Sequence, residues 1–301
     1  MVNIECVVDE GIYLGEGPVW DVEDGVIYWV DIKGPRIWSY DPKKNSTRSW
    51  TLPKDVTSIF RRKEGGPGAA IITLGDGFYF YDLETEKLDL IALIDEDEPR
   101  TRMNDAKVDR RGRLFAGGED EPEEFEISGL WRLDPDLSVH KVEDGIICNN
   151  GPCWSPDDKT FYHTDTFKDE MYAYDYDIET GEISNKRVFI STSDEEGAAD
   201  GSTVDAEGCL WNAQVVGGQL VRYTPDGAVD RRIDMPVRNI TSVMFGGDDL
   251  ADLYVTSMSR VDHPGGKDLF VEEEKPQDHA GGLFKVTGLG VRGLPETRFA
   301  G

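Results

Sequence analysis

The sequence predicts an all-β protein built as a six-bladed β-propeller, and three observations predict it. Runs rich in Val, Ile, Tyr, Phe and Trp, bounded by Gly, Asp, Pro and Asn, recur along the chain, while stretches with a helical period are nearly absent. The runs fall into groups of four. Those groups repeat every forty-odd residues, the length of one four-stranded antiparallel blade.

The first group is the clearest, with GPVW, GVIYWVDI, PRIWSYDP and STRSWTLP filling residues 17–53. GPCWSPDD, TFYHTDTF, MYAYDYD and ISNKRVFI fill 151–190, and GSTVDAEG, CLWNAQVV, QLVRYTP and AVDRRIDMP fill 201–236. Turns repeat with the strands, since SPDD, DAEG and TPDG stand in equivalent places. Anchoring each unit on the residue before its first strand gives Glu16, Thr57, Asn104, Asn150, Asp200 and Ser242, with separations of 41, 47, 46, 50 and 42. That makes six units. The last has three evident strands (TSVMFGG, DLYVTSMS, AGGLFKVTG), so the N-terminal piece IECVVDE is expected to supply the fourth and close the ring.

The 301 residues suffice for a substantial core, and the whole chain, 1–301, reads as one propeller domain. Sixty acidic and thirty-two basic residues give a formal net charge of −28, which repels nucleic acid phosphates and anionic membrane surfaces. Such acidity also occurs in high-salt proteins. No apolar run is long enough to cross a bilayer, and the opening MVNIECVVDE has no basic segment leading into an apolar one. A cytoplasmic monomer is the expectation. The four cysteines form no CxxC pair and are expected to be reduced and structural.

In an antiparallel blade the connection entering the first strand and the one joining the second to the third share a face. All six anchors therefore converge on one mouth of the central channel. The longest insertions, 118–128 and 259–280, are expected to overhang the same mouth. Glu16, Asn104, Asn150 and Asp200 offer the oxygen donors that hard or borderline divalent cations take. Asn and Asp before a strand also serve as turn-formers. Glutamate has no such turn role, and its desolvated charge at the neck of a channel calls for a cation. One divalent ion is expected there, with calcium, zinc, manganese, magnesium and iron(II) all compatible with oxygen ligands.

At these residues the chain resembles the SMP-30/gluconolactonase/regucalcin-like family of sugar lactonases. The resemblance spans nearly the whole sequence and rests on GEGPVWD (15–21), RMNDAKVDRRGRLFAGG (102–118), NNGPCWS (149–155), DGSTVDAEGCLW (200–211), TSVMFGG (241–247) and GGLFKVTGLGVRG (281–293). It implies a metal held by Glu16, Asn150 and Asp200, and substrate contacts from Arg102 and Asn104, with Asp105 close by. The family's further substrate-contacting acid falls in EDEPEE, where Glu119 and Glu121 compete and Glu121 is the candidate. The segment CNNGPC departs from the usual small residue before the NG pair.

What the resemblance implies is hydrolysis of an aldonolactone to its aldonate. A cation with open positions can polarise the lactone carbonyl and activate water, with Asp200 as proton acceptor. Arg102 and Asn104 would orient the polyol. Ester or organophosphate hydrolysis at the same ion, and a calcium-binding propeller without turnover, stand as alternatives. GLGVRG at 288–293 matches a dinucleotide fingerprint but has too little chain after it for a helix. No GxSxG or HExxH occurs, and the four histidines lack ligand spacing. His163 is read as a packing or supporting residue, with proton transfer as the alternative. Trp20, Trp29, Trp38, Trp131, Trp154 and Trp211 are read as inter-blade core.

Overall fold

A computed structural model describes residues 1–259 and 277–301. Six four-stranded antiparallel sheets are present. Their innermost strands are Gly15–Asp21, Val56–Arg61, Thr101–Val108, Asn149–Trp154, Ala198–Val204 and Ile240–Gly246. Each packs on its neighbours in the series and the last packs on the first, so the sheets form a closed ring. The fold is a six-bladed β-propeller.

Burial explains the strand sequences. Within blade one, VIYWVD (Val26–Asp31) is buried along nearly its whole length, because blades stack on both of its faces. The outermost strand STRSWT (Ser46–Thr51) is exposed at five of its six positions and correspondingly polar. The six tryptophans read as core are all buried. Three of them bridge blades: Trp20 stacks on Tyr254 at 5.7 Å between centroids, Trp154 meets Phe115 edge-on at 5.2 Å, and Trp211 meets Phe245 at 5.9 Å. The repeated turns share a backbone. Asp158, Gly208 and Gly227, last in SPDD, DAEG and TPDG, all have positive φ, at 57, 85 and 86°.

Ring closure uses both ends of the chain. Blade six consists of Ile240–Gly246, Asp252–Ser257, Leu283–Thr287 and, outermost, the N-terminal strand Asn3–Val8, paired antiparallel to Leu283–Thr287. The C-terminal tail crosses the face opposite the anchors, touching the connections between first and second strands. Ala206 N donates to Arg292 O (2.8 Å), Gly293 N to Leu250 O (2.8 Å), Phe299 N to Arg61 O (2.9 Å) and Ala300 N to Gly112 O (3.0 Å). Arg298 makes two bonds to Asp21, at 2.8 and 2.7 Å. Blades one, two, three, five and six are thus tied beneath the ring. Of the insertion at 259–280, residues 260–276 lie outside the described residues.

Candidate metal and substrate site

The anchors lie within the innermost strands, one or more residues inside their starts, rather than before them. The reason is a local irregularity. In every blade the pairing of first with second strand shifts register at or beside the anchor: between Glu16 and Val19, Val56 and Ser58, Met103 and Ala106, Asn150 and Cys153, Ala199 and Ser202, and Ile240 and Val243. An extra residue on the inner strand bends it and re-aims its side chain out of the sheet. Glycines permit the accompanying close approach. Gly151, at φ 58°, passes Ser202 so tightly that an added Cβ would lie 2.6 Å from its Oγ. At Gly201, an added Cβ would lie 1.9 Å from the Ser242 Oγ.

The result is a narrow cleft, open to solvent, lined by Glu16, Arg102, Asn104, Asn150 and Asp200. Five of the six residues singled out from the sequence therefore meet in one place. Glu121 does not line this cleft. Its side chain is half exposed at the rim, where Lys33 Nζ approaches to 3.2 Å and Arg102 Nε stands 4.0 Å away. Glu119 and Glu123 turn inward instead, and both line the cleft. The strand ends at Asp120, whose buried carboxylate pairs with Arg100 (2.8 Å) and accepts from Glu124 N and Phe125 N, each at 2.9 Å. The chain folds back over it, and Glu123 at φ 60° points to the axis.

A hydrogen-bonded framework fixes the donors. Asn104 Nδ2 donates to Asn150 Oδ1 (3.0 Å) and Asn149 O (2.9 Å), while Asn150 Nδ2 donates to Thr166 Oγ1 (2.9 Å). Thr166 opens the 3-10 turn Thr166–Lys168 and donates to Ala199 O at 2.8 Å, linking blades four and five beside Asp200. Glu16 Oε2 accepts from Gly17 N at 3.0 Å. The Arg102 guanidinium lies 2.7 Å from Glu119 and donates to Met103 O (2.9 Å) and Asn104 Oδ1 (3.2 Å). Asp105 is occupied structurally, accepting from Ala106 N and Gly151 N, both at 2.8 Å.

Four carboxyl groups and one guanidinium line the cleft. Burial, then the charges of Asp200 and Asp105, push the Glu16 carboxyl well above its ordinary range. Burial, then Asp105, does the same to Asp200. Glu119 is raised by burial against the pull of Arg102, and Glu123 is raised to about 8 by burial and by Glu119. Cys148 lines the cleft and donates to Glu119 Oε2 at 3.3 Å. This excess of buried negative charge is what a divalent cation compensates, and Glu16, Asn150 and Asp200 supply oxygen donors for it. His163 does not line the cleft. Buried in blade four, it bonds Asn149 Nδ2 (2.8 Å) and Tyr174 OH (2.9 Å), so it braces the residue beside Asn150.

Among the described residues no helix is long and apolar enough to cross a membrane. Residues 14–259 match the SMP-30/Gluconolactonase/LRE-like region. The chain is 38% identical to regucalcin of Xenopus laevis, the alignment covering 100% of this chain and 99% of that protein. A solved luciferin-regenerating enzyme superposes with a TM-score of 0.91 at 29% identity over 100% of both chains. A calcium-binding regucalcin from Agrobacterium tumefaciens superposes with a TM-score of 0.86 at 26% identity, over 98% of this chain and 96% of that one. With a matched region spanning most of its length and full-length relatives above a third identical, the chain belongs to the SMP-30/gluconolactonase/LRE-like family.

Proposed function

We propose that the protein hydrolyses an aldonolactone of five or six carbons to its aldonate, with a divalent cation held by Glu16, Asn150 and Asp200. The observation that carries this reading is the meeting of four carboxyl groups, one guanidinium and two carboxamides in one buried cleft. Family membership supports the lactonase class. When bound, such a cation supplies a polarised carbonyl and a water of lowered pKa. Asp200 takes a proton from the attacking water as the new carbon–oxygen bond forms, and returns it to the ring oxygen as the ester bond breaks. Arg102, steadied by Glu119, presents its planar guanidinium to lactone and hydroxyl oxygens. Asn104 holds the Asn150 amide in place, and Glu121 at the rim is assigned to the outer hydroxyls. The aldonate product is an anion in a cleft of like charge, which favours its release.

The names of the regucalcin relatives, one of them described as calcium-binding, support a second reading in which the cleft binds calcium without turnover. Proton release from xylono-, arabinono-, galactono- and gluconolactone separates the two, measured after chelation and re-addition of each cation. The expected result is activity lost on stripping, restored by a cation, and absent in a folded Asp200→Ala variant. Full activity in stripped protein refutes the metal assignment. Calcium uptake without hydrolysis of any lactone selects the second reading.

A further inference from the structure

At the outer edge of blade six, away from the cleft, three side chains of different chemistry meet. Cys6 lies in the N-terminal strand, Asp9 just beyond it, and His279 in the connection that returns to Leu283–Thr287. Each contributes one ligand-type atom, and these atoms all lie within 4.8 Å of one another. His279 Nδ1 and Asp9 Oδ2 are 2.8 Å apart, and Cys6 Sγ donates to Val8 O at 3.3 Å. We propose that Cys6 Sγ, the Asp9 carboxylate and His279 Nδ1 form a second, peripheral cation site, suited to a borderline-soft divalent ion of the zinc type.

The donor set decides the class of ion. A thiolate and an imidazole have little to offer a hard cation such as calcium or magnesium, whereas sulfur, nitrogen and carboxylate oxygen together suit zinc or cobalt. Distance agrees. Tetrahedral bonds of about 2.0–2.3 Å set ligand atoms roughly 3.3–3.7 Å apart. Because no pair is more than 4.8 Å apart, binding needs a contraction of at most about 1 Å and a slight opening of the hydrogen-bonded pair. Asp9 and His279 can make that adjustment, because their side chains are 55% and 51% exposed. Burial, then Asp9, pushes the Cys6 thiol up to about 11, so an ion binding here must displace its proton, while the acids Asp9 and Glu5 draw cations to this corner. Three protein donors leave a fourth position for water. The backbone already brings the two segments together, since Cys6 pairs with Phe284 and Ile12 N donates to Gly281 O at 3.0 Å. An ion here would staple the ring-closing strand to the end of the long connection, independently of chemistry in the cleft.

Cobalt(II) titration of the chelator-stripped full chain tests the site, because a thiolate ligand adds a charge-transfer absorption in the near ultraviolet. The band is expected in the natural protein and in Glu16→Gln, to be displaced by zinc, and to disappear in both Cys6→Ser and His279→Ala. Zinc is expected to raise the Tm of the Glu16→Gln protein and leave that of the Glu16→Gln/Cys6→Ser double variant unchanged. Cys148→Ser is the decisive control, since Cys148 is the thiol of the cleft; it should keep the band. Absence of a thiolate band, its survival in Cys6→Ser, or its loss in Cys148→Ser overturns the proposal.

Discussion

Replacing Gly201 by alanine tests the link between blade packing and the cleft. The added Cβ would lie 1.9 Å from the Ser242 Oγ, 2.4 Å from its Cβ and 2.7 Å from its Cα. A hydroxyl can rotate away, but the Cα belongs to the innermost strand of blade six, so blades five and six must part. Overpacking of a buried contact costs about 1–3 kcal/mol, and a backbone clash puts this one near 3. Asp200 is the adjacent residue. Displacing its carboxylate by up to about 1 Å would cost on the order of 100-fold in turnover. Ser242→Gly removes the two closer contacts and leaves the third, at a backbone cost of about 0.5–1 kcal/mol on its own. If the two changes were independent, the double variant would lose about 4 kcal/mol. Because they share a contact, it should lose about 2, a coupling of about 2 kcal/mol measurable by chemical denaturation. Lactone hydrolysis should recover in step. A Gly201→Ala protein within about 0.5 kcal/mol of the parent, or a strictly additive double variant, would refute the reasoning.

Two glutamates, Glu143 half-buried and Glu123 buried, should titrate stability in opposite directions. Glu143 is held down at about 2, because bonds from His163, Lys186 and Tyr174 outweigh its burial. Its contribution is therefore full above its ordinary value of 4.5 and is lost as pH falls through about 2; after discounting for solvent, Glu143→Gln should cost about 1–2 kcal/mol at pH 7, about half that or less at pH 3, and little below pH 2. Glu123, raised to about 8, contributes fully below 4.5 and loses its contribution as pH rises through 8, so Glu123→Gln should gain about 1–2 kcal/mol at pH 9 and nothing at pH 4 by urea titration. Phe299→Ala should lower stability by about 3–5 kcal/mol, read as a fall in Tm, because the tail carries this ring fully buried into the core between the blades. Glu16→Gln and Asp200→Asn should each abolish cation uptake by the cleft, as measured by calorimetry on stripped protein under conditions where the Cys6 site is removed by Cys6→Ser.

Blade number, ring closure by IECVVDE and the meeting of Glu16, Asn150 and Asp200 were legible because each depends on a local pattern repeated at a fixed interval. The inward acid of the 118–128 loop was not. Glu119 and Glu121 share strand parity, but the strand stops at Asp120, and a left-handed residue at Glu123 decides which carboxyl faces the axis. A backbone sign change of that kind leaves no trace in a run as acidic as EDEPEE. The anchors' place inside the strands was hidden for a related reason, since register shifts arise only when two strands pair. Asp9 and His279 escaped notice because they lie 270 positions apart, where spacing rules say nothing. The tail from GLGVRG onward has no periodicity either; its role comes from backbone bonds to turns on four blades and from the Arg298 side chain on a fifth.

That tail has a consequence for synthesis. The outermost strand of blade six is among the first segments made, while its pairing partner, Leu283–Thr287, and the residues that bind the underside are among the last. On the ribosome, five finished blades would form an arc with two bare flanks until the final residues emerge. A frameshift or early stop near the end would leave a torus that cannot shut, exposing the sticky flank of its first blade to other nascent chains.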